Sequence, residues 1–125
     1  MASPKTPKNI LYVDDEETLR LLVRNQLTSE GYNVEVADDG DTAVEVMSRS
    51  PQDLVLLDIR MPRMSGIEVL EELKKRQIKP RIIMLTAVDD LSVAIQCVKL
   101  GANDYLTKPF DLEHLLSAIQ RVLAR

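Results

Sequence analysis

The segment Asp53-Leu54-Val55-Leu56-Leu57-Asp58-Ile59-Arg60-Met61-Pro62 decides the fold. Leu54 to Leu57 is an unbroken apolar run that stops at Asp58. So short a run is the mark of a strand buried on both faces, the kind found in parallel sheets. Upstream, Ile10-Leu11-Tyr12-Val13 repeats the pattern and stops at Asp14-Asp15. Further strands are predicted at Val34 to Ala37, at Ile82 to Leu85 ending on Thr86, and at Asp104 to Thr107 ending on Lys108-Pro109.

Helical spacing fills the intervals. Leu19, Leu22, Val23 and Leu27 form one stripe, with Gly31 as its stop. Ala43, Val44 and Met47 mark a second helix opened by Asp39 or Asp41, and Ser65 caps a third that carries Ile67, Leu70 and Leu73. A fourth helix runs from about Asp90 to Leu100 and ends at Gly101; Leu112, Leu115, Leu116, Ile119 and Val122 stripe the last. Five strands alternating with five helices through short loops predict an α/β fold: a doubly wound, flavodoxin-like parallel sheet covered on both faces. The expected strand order is 2-1-3-4-5, one of the two common orders of doubly wound sheets, which periodicity alone does not prove. Met1 to Lys8 is expected to be a flexible tail, and residues 9–125 a single domain.

Composition narrows the function. The net charge of −4 argues against direct nucleic-acid binding, which depends on Lys and Arg. No segment approaches the apolar length of a membrane span, and Met1 to Asn9 has no apolar run of the signal-peptide kind. Cys97 is the only cysteine, so neither an intrachain disulfide nor a cysteine-based metal site exists, and a reducing, cytoplasmic setting is expected.

In open α/β sheets, ligands bind outside the carboxyl ends of the strands. Asp14-Asp15, Asp58, Thr86 and Lys108 all fall there. Each has an ordinary reading alone: helix capping for Asp14, Asp15 and Thr86, a turn for Asp58, a solvated surface for Lys108. Together they place three carboxylates beside one ammonium. Two unit charges 4 Å apart repel by about 4 kcal/mol at an effective dielectric near 20. One lysine cannot offset three acids, whereas a divalent cation with hard oxygen ligands can. Mg²⁺ fits, because it keeps several waters and leaves positions for a phosphoryl oxygen.

At this point the chain resembles the receiver domains of two-component response regulators. The matching segments are Ile10-Leu11-Tyr12-Val13-Asp14-Asp15-Glu16, Asp53 through Gly66, Ile83-Met84-Leu85-Thr86-Ala87, and Gly101 through Phe110. The resemblance implies that Asp58 is the phosphoacceptor. It implies that Asp15 binds Mg²⁺ directly, Asp14 mostly through water, and Arg60 through its backbone carbonyl. Lys108 and Thr86 would hold phosphoryl oxygens, Lys108-Pro109 would be a cis peptide, and Thr86 with Tyr105 would form the switch. The surface of the fourth helix, fifth strand and fifth helix would be the output face. The donor would be a histidine kinase or a histidine phosphotransfer protein, and the receiver of the signal a downstream effector or, on phosphorylation, a second copy in a dimer. The domain would speed its own phosphorylation and dephosphorylation without being a turnover enzyme.

Other readings remain open on sequence alone. A receiver-like interaction module could work without phosphorylation, although none of the acidic or lysine positions is missing. A flavin carrier would want a glycine- or hydroxyl-rich loop after the first strand, where this chain has Asp14-Asp15-Glu16-Glu17. A haloacid-dehalogenase-like phosphatase would put its nucleophile on the first strand. No effector domain fits after the last helix, which leaves both a stand-alone regulator and a receiver cut from a longer chain. Ser65 stands where many relatives have Asp, His114 reads as a surface residue, Cys97 as a packed thiol, and Leu21 as a candidate exposed contact.

Overall fold

The computed structural model describes residues 6–125, so most of the expected tail, residues 1–5, lies outside the described residues. The chain alternates β1 (Asn9–Val13), α1 (Glu17–Ser29), β2 (Asn33–Ala37), α2 (Gly40–Arg49), β3 (Leu54–Asp58), α3 (Gly66–Lys75), β4 (Arg81–Ala87), α4 (Leu91–Lys99), β5 (Asp104–Lys108) and α5 (Leu112–Leu123). A 3-10 turn, Val88–Asp90, precedes α4. The sheet is fully parallel in the order β2-β1-β3-β4-β5, as expected.

The central strands are apolar on both faces because both faces are covered. Ile10 and Tyr12 point to one side and pack with Val23 and Leu27 of α1 and Leu115 and Ile119 of α5. Leu11 and Val13 point to the other and share a core with Met47 of α2, Val69 of α3 and Cys97 of α4. This is the period of two acting in every strand. The helix starts follow local chemistry. Asp39 caps α2 by accepting from the Thr42 N–H, and Ser65 forms a full capping box with Glu68 at α3. Gly31 and Gly101 follow the ends of α1 and α4 with φ of 96° and 118°, a conformation that costs other residues steric strain.

Two expectations need correction. Leu22 does not belong to the buried stripe of α1: it is 50% exposed, and Leu21 beside it 43%. At about 100° per residue, Leu22 lies far round the helix from the axis shared by Leu19, Val23 and Leu27. β4 continues beyond Leu85, so Thr86 sits inside the strand, paired in register with Thr107. The fourth helix falls where expected, with Asp90 at its N-cap and Leu100 at its C-cap, and a separate tighter turn, Val88–Asp90, leads into it.

Candidate functional site

Parallel register brings the strand ends to one level. Val13 pairs with Leu57, Asp58 with Leu85, and Ala87 with Lys108. The residue following β1 and the last residues of β3 and β5 therefore open on the same edge. Among the described residues, the buried polar or charged side chains are Asp14, Asp58, Thr86 and Asp90. All four lie at or just beyond the carboxyl ends of the central strands. Buried charge is costly unless it is paired, so such a cluster needs partners.

The partners are specific. Carboxylate oxygens of Asp14, Asp15 and Asp58 lie within 4.8 Å of one another. The Lys108 ammonium bridges two of these acids, with Nζ 2.8 Å from Asp14 Oδ2 and 3.2 Å from Asp58 Oδ2. Asp14 also accepts from the Tyr12 hydroxyl at Oδ2, 2.9 Å away, and from the Glu16 N–H at Oδ1, 3.0 Å away. Asp15 is exposed at the mouth. The peptide bond Lys108–Pro109 is cis.

These contacts set the electrostatics. Burial pushes the Asp58 carboxyl up to about 6; Lys108 opposes the rise and Asp14 adds to it. For Lys108, burial pulls the ammonium down, but its contacts with Asp14 and Asp58 win and its affinity for the proton is raised. Burial, helped by the neighbouring Asp14, pushes the Tyr12 phenol far above its ordinary value, so it is a fixed donor. Asp58 is thus left with little hydrogen bonding of its own, at a rim where ionisation is disfavoured until positive charge arrives. Hard oxygen donors on one side, with the rest of the sphere open, are the donor set that suits Mg²⁺. Asp15 and Asp58 would hold it, with Asp14 behind them.

The remaining residues singled out from sequence are placed less directly. The Thr86 hydroxyl donates to the Ala87 carbonyl at 3.0 Å rather than to Asp58. Tyr105 is 38% exposed. It shares a sheet face with Thr86, because Thr107 pairs with Thr86 and Tyr105 lies two residues before Thr107. The Arg60 side chain turns to Asp90, donating from Nε and Nη2 to its two carboxylate oxygens. Those hydrogen bonds hold Asp90 below the usual carboxylate range against the opposing effect of burial. The loop after Asp58 is thereby tied to the turn after Thr86. Neither Asp90 nor Tyr12 stood out in the sequence as a site residue. Asp90 and Arg60 are thirty residues apart and share no local signal. Tyr12 and Asp14 did carry one, since residues two apart on a strand face the same side.

Comparison with known proteins agrees with this geometry. A family model described as the response regulator receiver domain matches residues 10–120. The response regulator MprA of Mycobacterium leprae is 42% identical over 116 residues, covering 93% of this chain and 51% of that protein. The regulatory protein AtoC of Escherichia coli is 37% identical over 114 residues, covering 91% of this chain and 25% of its own length. The chain therefore spans about half the length of the MprA relative, and less of AtoC. The structure of chemotaxis protein CheY4 from Vibrio cholerae superposes with a TM-score of 0.86 at 34% identity, covering 94% of this chain and 99% of that one. The receiver domain of NtrX from Brucella abortus gives a TM-score of 0.86 at 32% identity, covering 92% and 98%. With a family match over most of its length, carboxylates gathered at the strand ends and the sheet order of these neighbours, the chain belongs to the receiver domains of two-component response regulators.

Proposed function

We propose that Asp58 accepts a phosphoryl group from a phosphohistidine on a histidine kinase or histidine phosphotransfer protein. The observation that carries this reading is the Lys108 ammonium, set between Asp14 and Asp58 in a cluster of three carboxylates. An Asp58 carboxylate oxygen attacks phosphorus. The phosphorus–nitrogen bond breaks, and its electron pair returns to the donor imidazole. Lys108 then has a phosphoryl oxygen to bind in place of the bare carboxylate. Bound Mg²⁺ supplies positive charge against the transferring oxygens. A recess of about 310 Å³ lined by Glu16, Leu19, Lys108, Pro109 and Phe110 adjoins the site, room for an imidazole-bearing partner to approach.

The phosphoryl oxygens offer Thr86 a charged acceptor in exchange for the Ala87 carbonyl, and a charge-assisted bond is the stronger one. Movement of Thr86 makes room on its sheet face for Tyr105 to turn inward, altering the surface of α4, β5 and α5 for a downstream effector or a second copy. Val88, Leu91, Ile95 and Val98 already expose apolar area there. Membership of the receiver family supports a cytoplasmic location; no helix among the described residues is long and apolar enough to cross a membrane.

Incubation with acetyl phosphate and Mg²⁺ is expected to add one phosphoryl group, read by intact-protein mass spectrometry. EDTA is expected to suppress the gain. Equal labelling with and without metal, or none in either, contradicts the proposal. Thr86→Ala is expected to keep phosphoryl uptake but shift the switch equilibrium back by roughly tenfold or more, the worth of one hydrogen bond to a charged group. Amide chemical shifts of α4 and β5 with beryllofluoride report this; a full wild-type response in Thr86→Ala would remove Thr86 from the switch.

A further inference from the structure

Tyr12 is fully buried in β1, among Ile10, Leu54, Leu56 and other aliphatic side chains. Packing alone asks for a ring at this place, not for a hydroxyl, because a buried polar group costs stability unless it is bonded. The hydroxyl has one hydrogen-bond partner among the described residues, Oδ2 of Asp14 at 2.9 Å. That same oxygen accepts from Lys108, while Oδ1 accepts only the Glu16 N–H. An ionised carboxylate offers about four lone-pair sites, so Oδ2 is saturated and Oδ1 keeps the spare one.

We propose that Tyr12 is a positioning residue whose hydroxyl locks the Asp14 carboxylate, committing Oδ2 to Lys108 and reserving Oδ1 for the cation or its water. The proposal rests on the reading of this site as a metal-dependent phosphoacceptor. Asp14 belongs to the acidic cluster, and its torsion decides which oxygen faces Asp15 and Asp58. Backbone Glu16 restrains one oxygen from one side; Tyr12 restrains the other from the core side, on a strand too tightly packed to shift. Without the hydroxyl, Asp14 and Lys108 remain paired but the pair is free to rotate together. Groups that orient a metal-binding carboxylate from behind are commonly worth 10–100-fold in metal affinity.

The test is Tyr12→Phe in the full chain, with Mg²⁺ affinity measured by isothermal titration calorimetry and thermal stability measured in EDTA. Mg²⁺ affinity is expected to fall roughly tenfold, at the lower end of the range for such groups. The metal-free melting temperature is expected to fall by only a few degrees, because phenylalanine fills the same space and a single hydrogen bond is lost. In an Asp14→Ala background the same change is expected to leave Mg²⁺ affinity essentially unaltered. Undiminished Mg²⁺ affinity in folded Tyr12→Phe overturns the proposal, and so does an equal loss in both backgrounds. If the unmodified protein binds no Mg²⁺, the phosphoacceptor reading falls and this inference with it; normal binding with an indifferent Tyr12→Phe removes this inference alone.

Discussion

Asp58→Asn is expected to abolish phosphoryl uptake and, in the absence of metal, to make the protein more stable at neutral pH. The first effect follows from nucleophilicity: an amide oxygen at this position cannot form the acyl phosphate, and no other carboxylate in the cluster has the same access beside Lys108. Mass spectrometry after treatment with phosphodonor and Mg²⁺ should show no added group, and undiminished labelling would displace Asp58 as the acceptor. The second effect follows from burial. The Asp58 carboxyl ionises at about 6 in the fold, against an ordinary 3.8. The fold therefore favours its protonated form. Below the ordinary value Asp58 is neutral in folded and unfolded chains alike and its burial is uncontested. As pH rises through about 6 that stability is lost, and above it the folded state carries an ionised, desolvated acid. A shift of this size corresponds to about 2–3 kcal/mol.

Asparagine escapes the charge penalty but forgoes the Lys108 contact, so a net gain of about 1–2 kcal/mol is expected, or roughly 5 °C in melting temperature. In EDTA the gap should be wide at pH 7.5 and should narrow toward pH 4.5. Mg²⁺ should shrink or reverse it, because the cation stabilises only the protein that retains the acid. A mutant less stable than the parent at pH 7.5 in EDTA would show that Asp58 is not held under electrostatic strain.

Gly66→Ala is expected to damage both the fold and the site. An added Cβ would meet the Asp58 carbonyl oxygen at 2.7 Å, Met84 Cε at 2.9 Å and the Ile59 Cα at 3.0 Å. The methionine tip can swing aside; the two backbone atoms cannot. They belong to the end of β3 and the residue just after it, where the Gly66 N–H also donates to the Ile59 carbonyl at 2.8 Å. Relief requires α3 to lift from the strand that carries the phosphoacceptor. Overpacking of this kind costs about 1–3 kcal/mol, and the stiff backbone contacts place Gly66→Ala at the upper end. Urea denaturation should show the lowered midpoint, and labelling of Asp58 should slow in the protein that remains folded. A mutant with the parent's midpoint and labelling rate would show that the close approach is unimportant. Helix capping is not the issue, since Ser65 and Glu68 already complete that end of α3.

The strands and helices were legible because their causes are local. A both-faces-buried strand must be apolar at every position, as Leu54 to Leu57 are, and a helix must repeat its apolar residues near every fourth place. The stop at Gly31 and the caps at Asp39 and Ser65 are equally local. Leu22 was misread because stripe width, not spacing alone, decides burial, and that width is set by what α1 packs against. Thr86 was read as the end of its strand because the pairing with β5, which carries β4 on to Ala87, is invisible in β4 itself.

Sequence by itself determined that acids, a hydroxyl and an ammonium would stand at the carboxyl ends of parallel strands, since strand periodicity and direction put them there. Only the tertiary structure decided which of them touch. The order of the strands sets Lys108 between Asp14 and Asp58, although four crossovers separate β1 from β5 along the chain. The same packing draws Arg60 to Asp90, thirty residues away. Contacts between residues far apart in the chain depend on the whole arrangement of sheet and helices, and no local pattern encodes them.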